Sequence, residues 1–336
     1  MISGRATSEG TSRYASGFRA DFFRHAGPLT VSTLGLGTYL GEPDERTDKA
    51  YTAAVTAAIC GGVNFLDAAI NYRNQRSERS IGAALALGGF PRTEIVVCTK
   101  AGFLTPGAVD PTTISEADIV SGMHSMAPNF LADQIDRSRA NLGLETIDVF
   151  YLHNPETQLG HVSRPQFEGR IRAAFERLEK IVEQGKIGWY GAATWDGFRK
   201  PGALELPRLV DIARDVGGPE HHFRFIQLPF NLAMPEAFTQ GPVSVLELAR
   251  EAGITVVASA SLLQAKLSRG LPEQLAGQFP GLDTDAQRAI QFARSTPGIT
   301  VALVGMSDTA HVKENLAVSS VAPLDPESYR RLYQNA

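Results

Sequence analysis

Eight nearly continuous apolar runs recur along the chain, at residues 29–39, 63–69, 94–100, 147–153, 187–194, 223–231, 254–261 and 300–305. Runs without strict apolar–polar alternation predict parallel strands covered on both faces. Between them, apolar positions fall at helical spacing over residues 48–60, 78–87, 130–142, 167–184, 203–216, 243–252, 285–295 and 309–318. Glycines stand just past most of these stretches, at Gly61-Gly62, Gly88-Gly89, Gly143, Gly185, Gly217-Gly218 and Gly253. They are expected there as helix stops, since glycine enters the left-handed conformation without steric cost.

Strict alternation of eight strand–helix units predicts an α/β protein with a (β/α)8 TIM barrel over residues 29–336. Residues 1–28 form an N-terminal extension, expected to be a hairpin covering the barrel bottom. Strand ends recur about every 38 residues, against about 31 in a barrel of about 250 residues. The surplus sits in two long loops after strands, 101–128 and 155–165, on the face where barrel enzymes keep their sites. A doubly wound open sheet is the rival. It lacks its signature, since no Gly-x-Gly-x-x-Gly follows the first strand.

Composition narrows the classes further. The 336 residues are 43% hydrophobic, enough to bury a core and to exclude a disordered chain. Lys and Arg number 32 against 36 Asp and Glu, a net charge of −4, without the basic excess of a nucleic-acid binder. No apolar run approaches the roughly 20 residues of a membrane span. The first ten residues are polar and lack a secretory core, so a cytoplasmic location is expected. Cys60 and Cys98 are too few for a disulfide scaffold, and both are expected to be reduced and buried.

The candidate chemistry lies where apolar strands run into titratable residues. The second strand ends in Asp67, with Tyr72 five residues on; the third runs into Lys100 and the fourth into His153. Burying a carboxylate, an ammonium and an imidazole beside such runs is costly without partners, and at a barrel mouth the three ends converge. Singly, each has an ordinary explanation as a solvated lysine, a loop anchor, a core histidine or a loop aromatic. Jointly they suit proton transfer coupled to hydride transfer. An ammonium beside a phenol favours its phenolate, Asp67 keeps Lys100 charged, and His153 orients a carbonyl that Tyr72 protonates.

These residues resemble the aldo-keto reductase family, from about Leu34 to Leu316. The resemblance rests on Leu34-Gly35-Leu36-Gly37-Thr38, the segment GVNFLDAAINYRNQRSERSIGAAL at 62–85, Cys98-Thr99-Lys100-Ala101-Gly102 and Phe150-Tyr151-Leu152-His153. It continues through Gly185-Lys186-Ile187 with Gly191, Ile226-Gln227-Leu228 with Asn231, and GMSDTAHVKENL at 305–316. It implies a barrel, a nicotinamide cofactor over the C-terminal mouth (NADPH, with NADH possible), a small-molecule carbonyl substrate and no metal. It also implies a catalytic tetrad of Asp67, Tyr72, Lys100 and His153. The cofactor contacts it implies are Gly37, Thr38, Thr194, Gln227, Phe230, Leu262, Ser307, His311 and Asn315.

Three departures stand out. Ala193-Thr194 replace the Ser-Asn that holds the carboxamide in many members. Phe230 takes the place of a stacking tyrosine. The loop Gly305-Met306-Ser307-Asp308 carries no Lys or Arg for a 2′-phosphate, although Lys266 and Arg269 lie in the preceding loop. Phe103, His124, Met126, Trp195 and Arg73 are expected to line the substrate pocket. His221-His222 read as solvated loop histidines rather than metal ligands. The leading function is NAD(P)-dependent, reversible hydride transfer between a nicotinamide and an aldehyde or ketone. The alternatives are an aldose dehydrogenase working oxidatively with NAD, a nicotinamide-binding regulatory subunit of the kind the family includes for ion channels, and a Schiff-base lyase built on Lys100.

Overall fold

Parity along the strands decides which side chains enter the barrel. The computed structural model describes residues 1–333, so the last three residues of the span 29–336 lie outside the described residues. Its strands are β1 (Phe23–Ala26), β2 (Leu29–Ser32), β3 (Leu34–Gly37), β4 (Phe65–Asp67), β5 (Val96–Ala101), β6 (Ile147–His153), β7 (Ile187–Ala193), β8 (Phe223–Pro229), β9 (Thr255–Ser259) and β10 (Val301–Gly305). Strands β3 to β10 close in chain order into a parallel barrel, with β10 returning to β3. Successive side chains point to opposite faces of a strand. Phe65, Val96, Cys98, Val149, Tyr151, Phe225, Val257 and Leu303 therefore meet in the interior. Leu66, Val97, Phe150, Leu152, Ile226 and Val256 join the layer between strands and helices.

The helices are α1 (Ser8–Ala15), α2 (Glu45–Cys60), α3 (Arg76–Gly88), α4 (Pro128–Leu142), α5 (Arg164–Glu183), α6 (Leu206–Gly217), α7 (Glu236–Thr239), α8 (Val245–Glu251), α9 (Gln274–Gln278), α10 (Asp285–Ser295), α11 (Thr309–Leu316) and α12 (Pro326–Arg331). Eight of them, α2 to α6 with α8, α10 and α11, follow the eight barrel strands in turn. Reciprocal caps open several: Ser163 with Gln166 starts α5, and Thr284 with Gln287 starts α10, each satisfying backbone donors that the first turn leaves free. Among the described residues no helix is long and apolar enough to cross a membrane.

The run 29–39 is two strands rather than one. β2 turns back on β1 in an antiparallel hairpin, and the barrel begins after Thr33. Asn64 makes the break by accepting the Ser32 N–H at 2.8 Å while Ser32 Oγ accepts the Asn64 N–H at 3.1 Å. Ala26, Leu29 and Val31 of the hairpin pack into the interior cluster at the N-terminal ends of the strands. Of the two thiols expected to be buried, only Cys98 is; Cys60, the last residue of α2, is exposed.

Candidate active site

Strand parity also builds the mouth. Asp67 shares the inward face of β4 with Phe65, Lys100 that of β5 with Cys98, His153 that of β6 with Tyr151, and Gln227 that of β8 with Phe225. The register sets His153 beside Ala193 and Ala193 beside Gln227. Small Ala193 leaves the space between the two polar side chains open. Lys100 Nζ donates to Asp67 Oδ2 at 2.6 Å and to the Ala68 carbonyl at 2.7 Å, and Gln227 Nε2 donates to Asp67 Oδ1 at 2.9 Å. Both oxygens of a nearly buried carboxylate are thus satisfied, as burial of a charge demands.

Tyr72 arrives from a loop. Beyond β4 the chain keeps pairing with β5, through Ala68 N–H to Cys98 O and Ile70 N–H to Lys100 O. It then turns through three successive left-handed residues, Arg73, Asn74 and Gln75, at φ 47°, 53° and 71°. Each such non-glycine residue costs about 1–3 kcal/mol and persists only where its surroundings enforce it. Here Arg73 donates to Asp48 Oδ1 at 2.6 Å and lies 4.6 Å over the Tyr51 ring. This anchors the turn that carries Tyr72. The Tyr72 ring lies 4.9 Å from Lys100 Nζ and edge-on to His153, with centroids 5.7 Å apart.

The electrostatics follow from this packing. Burial pulls the Lys100 ammonium down, but the touching Asp67 carboxylate, together with Tyr72 and Cys98, outweighs it and leaves the pKa raised, so Lys100 is charged. Burial pushes the Tyr72 phenol above its ordinary value, more than Lys100 draws it down. Burial, then the Lys100 charge and His124, hold His153 well below the usual imidazole range. At neutral pH the arrangement is a charged amine, a neutral phenol and a neutral imidazole around one space.

That space is a cavity of about 510 Å³. Gly37, Thr38, Asp67, Tyr72, His153, Thr194, Gln227 and Leu262 line it, with Lys100 one layer beneath. Phe103 and Trp195 also line it. Phe230 does not. It is fully buried and stacked on Phe292, centroids 5.7 Å apart and planes at 6°. The reason is parity, since Phe230 shares the helix-facing side with Ile226 and Leu228. Ser307, His311 and Asn315 also lie outside the lining: His311 is exposed on α11, Ser307 is half-buried, and Asn315 is buried. Arg73, His124 and Met126 are buried away from the cavity, while Lys266 and Arg269 are exposed and outside its lining.

Sequence reasoning missed Tyr39, Leu40, Asn71, Asn154, Ser259 and Ser261, all in the lining. Asn71 and Asn154 carried a signal, as polar residues just beyond apolar strands. Tyr39, 53% exposed, lies edge-on to Tyr72 at 4.8 Å. His221 and His222 sit in the loop before β8, at the other end of the barrel; His222 is half-exposed as expected, whereas His221 is not solvated. His221 is buried against Arg224, and His222 Nδ1 lies 2.6 Å from Glu179 Oε2. Among the described residues no group of three or more His, Cys, Asp or Glu is placed to hold a metal.

Known proteins resemble this chain along most of its length. A probable voltage-gated potassium channel subunit beta from Arabidopsis thaliana is 23% identical over 317 residues, covering 88% of this chain and 90% of the relative. The solved aldo/keto reductase from Klebsiella pneumoniae, in complex with NADP and acetate, superposes with a TM-score of 0.67 at 21% identity, covering 94% of this chain and 95% of that one. The aldo-keto reductase from Bacillus halodurans in its holo form gives a TM-score of 0.69 at 21% identity, covering 94% and 96%. At such identities the structural likeness establishes the fold. The model of the Aldo/keto reductase family matches residues 33–274, from the residue before β3 to the first residue of α9, and this chain belongs to that family.

Proposed function

We propose that the chain is a nicotinamide-dependent carbonyl reductase, acting reversibly on an aldehyde or ketone with Tyr72 as general acid and base. The observation that carries this reading is the Asp67–Lys100–Tyr72–His153 cluster bordering one cavity. A reduced nicotinamide, when bound, supplies the hydride. The chain's own residues handle the proton. Tyr72 holds it at Oη at neutral pH, the state that reduction requires, and Lys100 beneath the ring stabilises the phenolate left behind. Neutral His153 hydrogen-bonds the carbonyl oxygen and orients it toward Tyr72.

The cavity fits such a cofactor in its polar atoms. Ser261 Oγ and Asn71 Oδ1 are buried at its wall without a hydrogen-bond partner among the described residues, an arrangement that calls for a ligand. Thr194, Gln227, Ser261 and Leu262 would hold the cofactor's nicotinamide and its adjoining part. NADPH is the expected form. The competing claim of NADH rests on Asp308, whose carboxylate already caps α11 by accepting the Ala310 N–H at 2.7 Å in a loop free of cations.

The lining also points to uncharged substrates. Tyr39, Leu40, Phe103 and Trp195 supply apolar wall, and among the described residues no Lys or Arg lines the cavity. A substrate carboxylate or phosphate would lose its hydration without a partner. Benzaldehyde is expected to give a kcat/KM about 10–100-fold above that of 4-carboxybenzaldehyde.

Fluorescence titration with NADPH and NADH, followed by turnover of aldehydes, tests the reading. Binding with turnover supports it, and failure to bind either nicotinamide overturns it. Binding without turnover of any carbonyl would favour the regulatory role that the Arabidopsis relative's name carries. Turnover confined to NAD with free sugars would favour the aldose dehydrogenase.

A further inference from the structure

The long connection between β5 and α4 sends His124 behind His153 rather than into the cavity. We propose that His124 is a positioning residue for His153, acting through the peptide that joins His153 to Asn154. The proposal rests on the functional reading above, in which His153 meets the substrate carbonyl.

This peptide is held on both edges. The His153 carbonyl accepts from His124 Nε2 at 2.8 Å, and the Asn154 N–H donates to the Ala193 carbonyl at 2.6 Å. Asn154 stands at φ 49°, a left-handed conformation that a non-glycine residue keeps only under constraint. The constraint has been given room: a Cβ on Gly102 would stand 2.5 Å from the His153 carbonyl oxygen and 2.7 Å from His124 Nε2.

The polarity of the contact is set from behind. Arg170 Nη1 donates to Gln158 Oε1 at 2.7 Å, and Arg170 Nη2 to the Ala117 carbonyl at 2.9 Å. A guanidinium only donates, so Gln158 must present its oxygen to Arg170 and its amide nitrogen, at 3.2 Å, to His124 Nδ1. Nδ1 then accepts and Nε2 carries the hydrogen that the His153 carbonyl receives. Burial holds His124 down at about 4, so the ring is neutral and works through its tautomer. The Phe103 ring fills the angle between the two imidazoles, nearly perpendicular to both, at 5.2 Å from His124 and 5.1 Å from His153.

His124→Phe, His124→Gln and Gln158→Leu, each checked for folding by circular dichroism, test the proposal. His124→Phe is expected to lower kcat about 10–100-fold, because small misplacements of a reacting group carry costs of that order. Its NADPH affinity, by fluorescence, stays within about twofold of the parent, since the lesion is one of orientation. His124→Gln, whose amide nitrogen donates from a similar position, restores most of the rate. Gln158→Leu, which spares the ring and its packing, shows a smaller loss in the same direction. Unchanged kcat in a folded His124→Phe protein, or a His124→Gln protein as impaired as His124→Phe, overturns the proposal while leaving the functional reading standing.

Long-range proton–nitrogen NMR of the histidine rings decides the matter independently of turnover. The Nε2–H tautomer at His124, with His153 resonances displaced in His124→Phe and restored in His124→Gln, supports the proposal. An Nδ1–H tautomer at His124 overturns it. Should the parent protein reduce no carbonyl, the functional reading fails and these spectra still test the positioning.

Discussion

The barrel buries one ion pair near each end, and the two are built differently. At the floor, Asp148 accepts from Arg92 Nη2 at 2.6 Å, from the Val97 N–H at 2.7 Å and from the Ala6 N–H at 2.7 Å. At the mouth, Asp67 is equally saturated by Lys100 and Gln227. What differs is the surroundings. At the floor, Ala26, Leu29 and Val31 of the hairpin pack into the interior cluster, and Arg92 Nε, which lacks a partner among the described residues, does not border the mouth cavity. Around the mouth, His153 Nδ1, Asn71 Oδ1 and Ser261 Oγ all lack partners among the described residues, and all three residues border the cavity. A buried charge pair therefore does not by itself mark a site. Unpaired polar atoms gathered around a space do, because burying them without a ligand is costly.

Four changes break or sharpen that contrast. Tyr72→Phe at the mouth is expected to cut turnover about 10²–10⁴-fold, the usual worth of a positioned acid. NADPH affinity and the unfolding midpoint should stay unchanged. Retained turnover would remove Tyr72 from the proton path.

Asp148→Ala at the floor should act on stability instead. It strands Arg92 and two backbone donors, and urea unfolding should show a loss of about 3–5 kcal/mol. A loss below about 1 kcal/mol would mean the floor pair is no more structural than the one at the mouth.

The third change is one of pH. The folded value of His124, about 4, lies below its ordinary 6.5, so the unfolded chain binds the extra proton. The stability this contributes is complete above about pH 6.5 and is lost as pH falls toward 4, to an extent of about 3 kcal/mol. His124→Gln should flatten that part of the stability profile, as denaturation at pH 7, 5.5 and about 4.5 would show. An equally steep profile in the variant would assign the loss to other groups.

Ser261→Ala gives the smallest effect. Removing an orphaned hydroxyl should leave stability unchanged and weaken cofactor binding about 2–10-fold, the worth of one hydrogen bond. A stability loss with unchanged cofactor affinity would make Ser261 part of the scaffold rather than of the binding wall.

Much of this is legible in the sequence. Asp67, Lys100 and His153 stood out because each ends an apolar strand with a titratable group, and the inward parity of the barrel carried all three to one place. The same parity sets Phe230, three residues beyond Gln227, on the helix-facing side, where it stacks on Phe292 rather than on a nicotinamide. The break at Thr33 was invisible because Ser32 and Thr33 suit a strand as well as a turn, and only Asn64, 32 residues from Ser32, decides between them. Arg73 and His124 looked like pocket residues by proximity in sequence. Asp48 and Tyr51 draw the first away from the cavity, and the Gln158–Arg170 pair holds the second behind its wall.

The sequence by itself determined the eight-fold alternation, the barrel and the titratable ends of three successive strands, because hydrophobic periodicity and the burial cost of polar groups act locally along the chain. Tertiary structure decided which polar groups were satisfied and which were left unpaired in the residues around the cavity. That depends on partners far apart in sequence, such as Gln227 on Asp67 or His124 on His153, whose meeting is set by barrel closure and loop path rather than by any local preference.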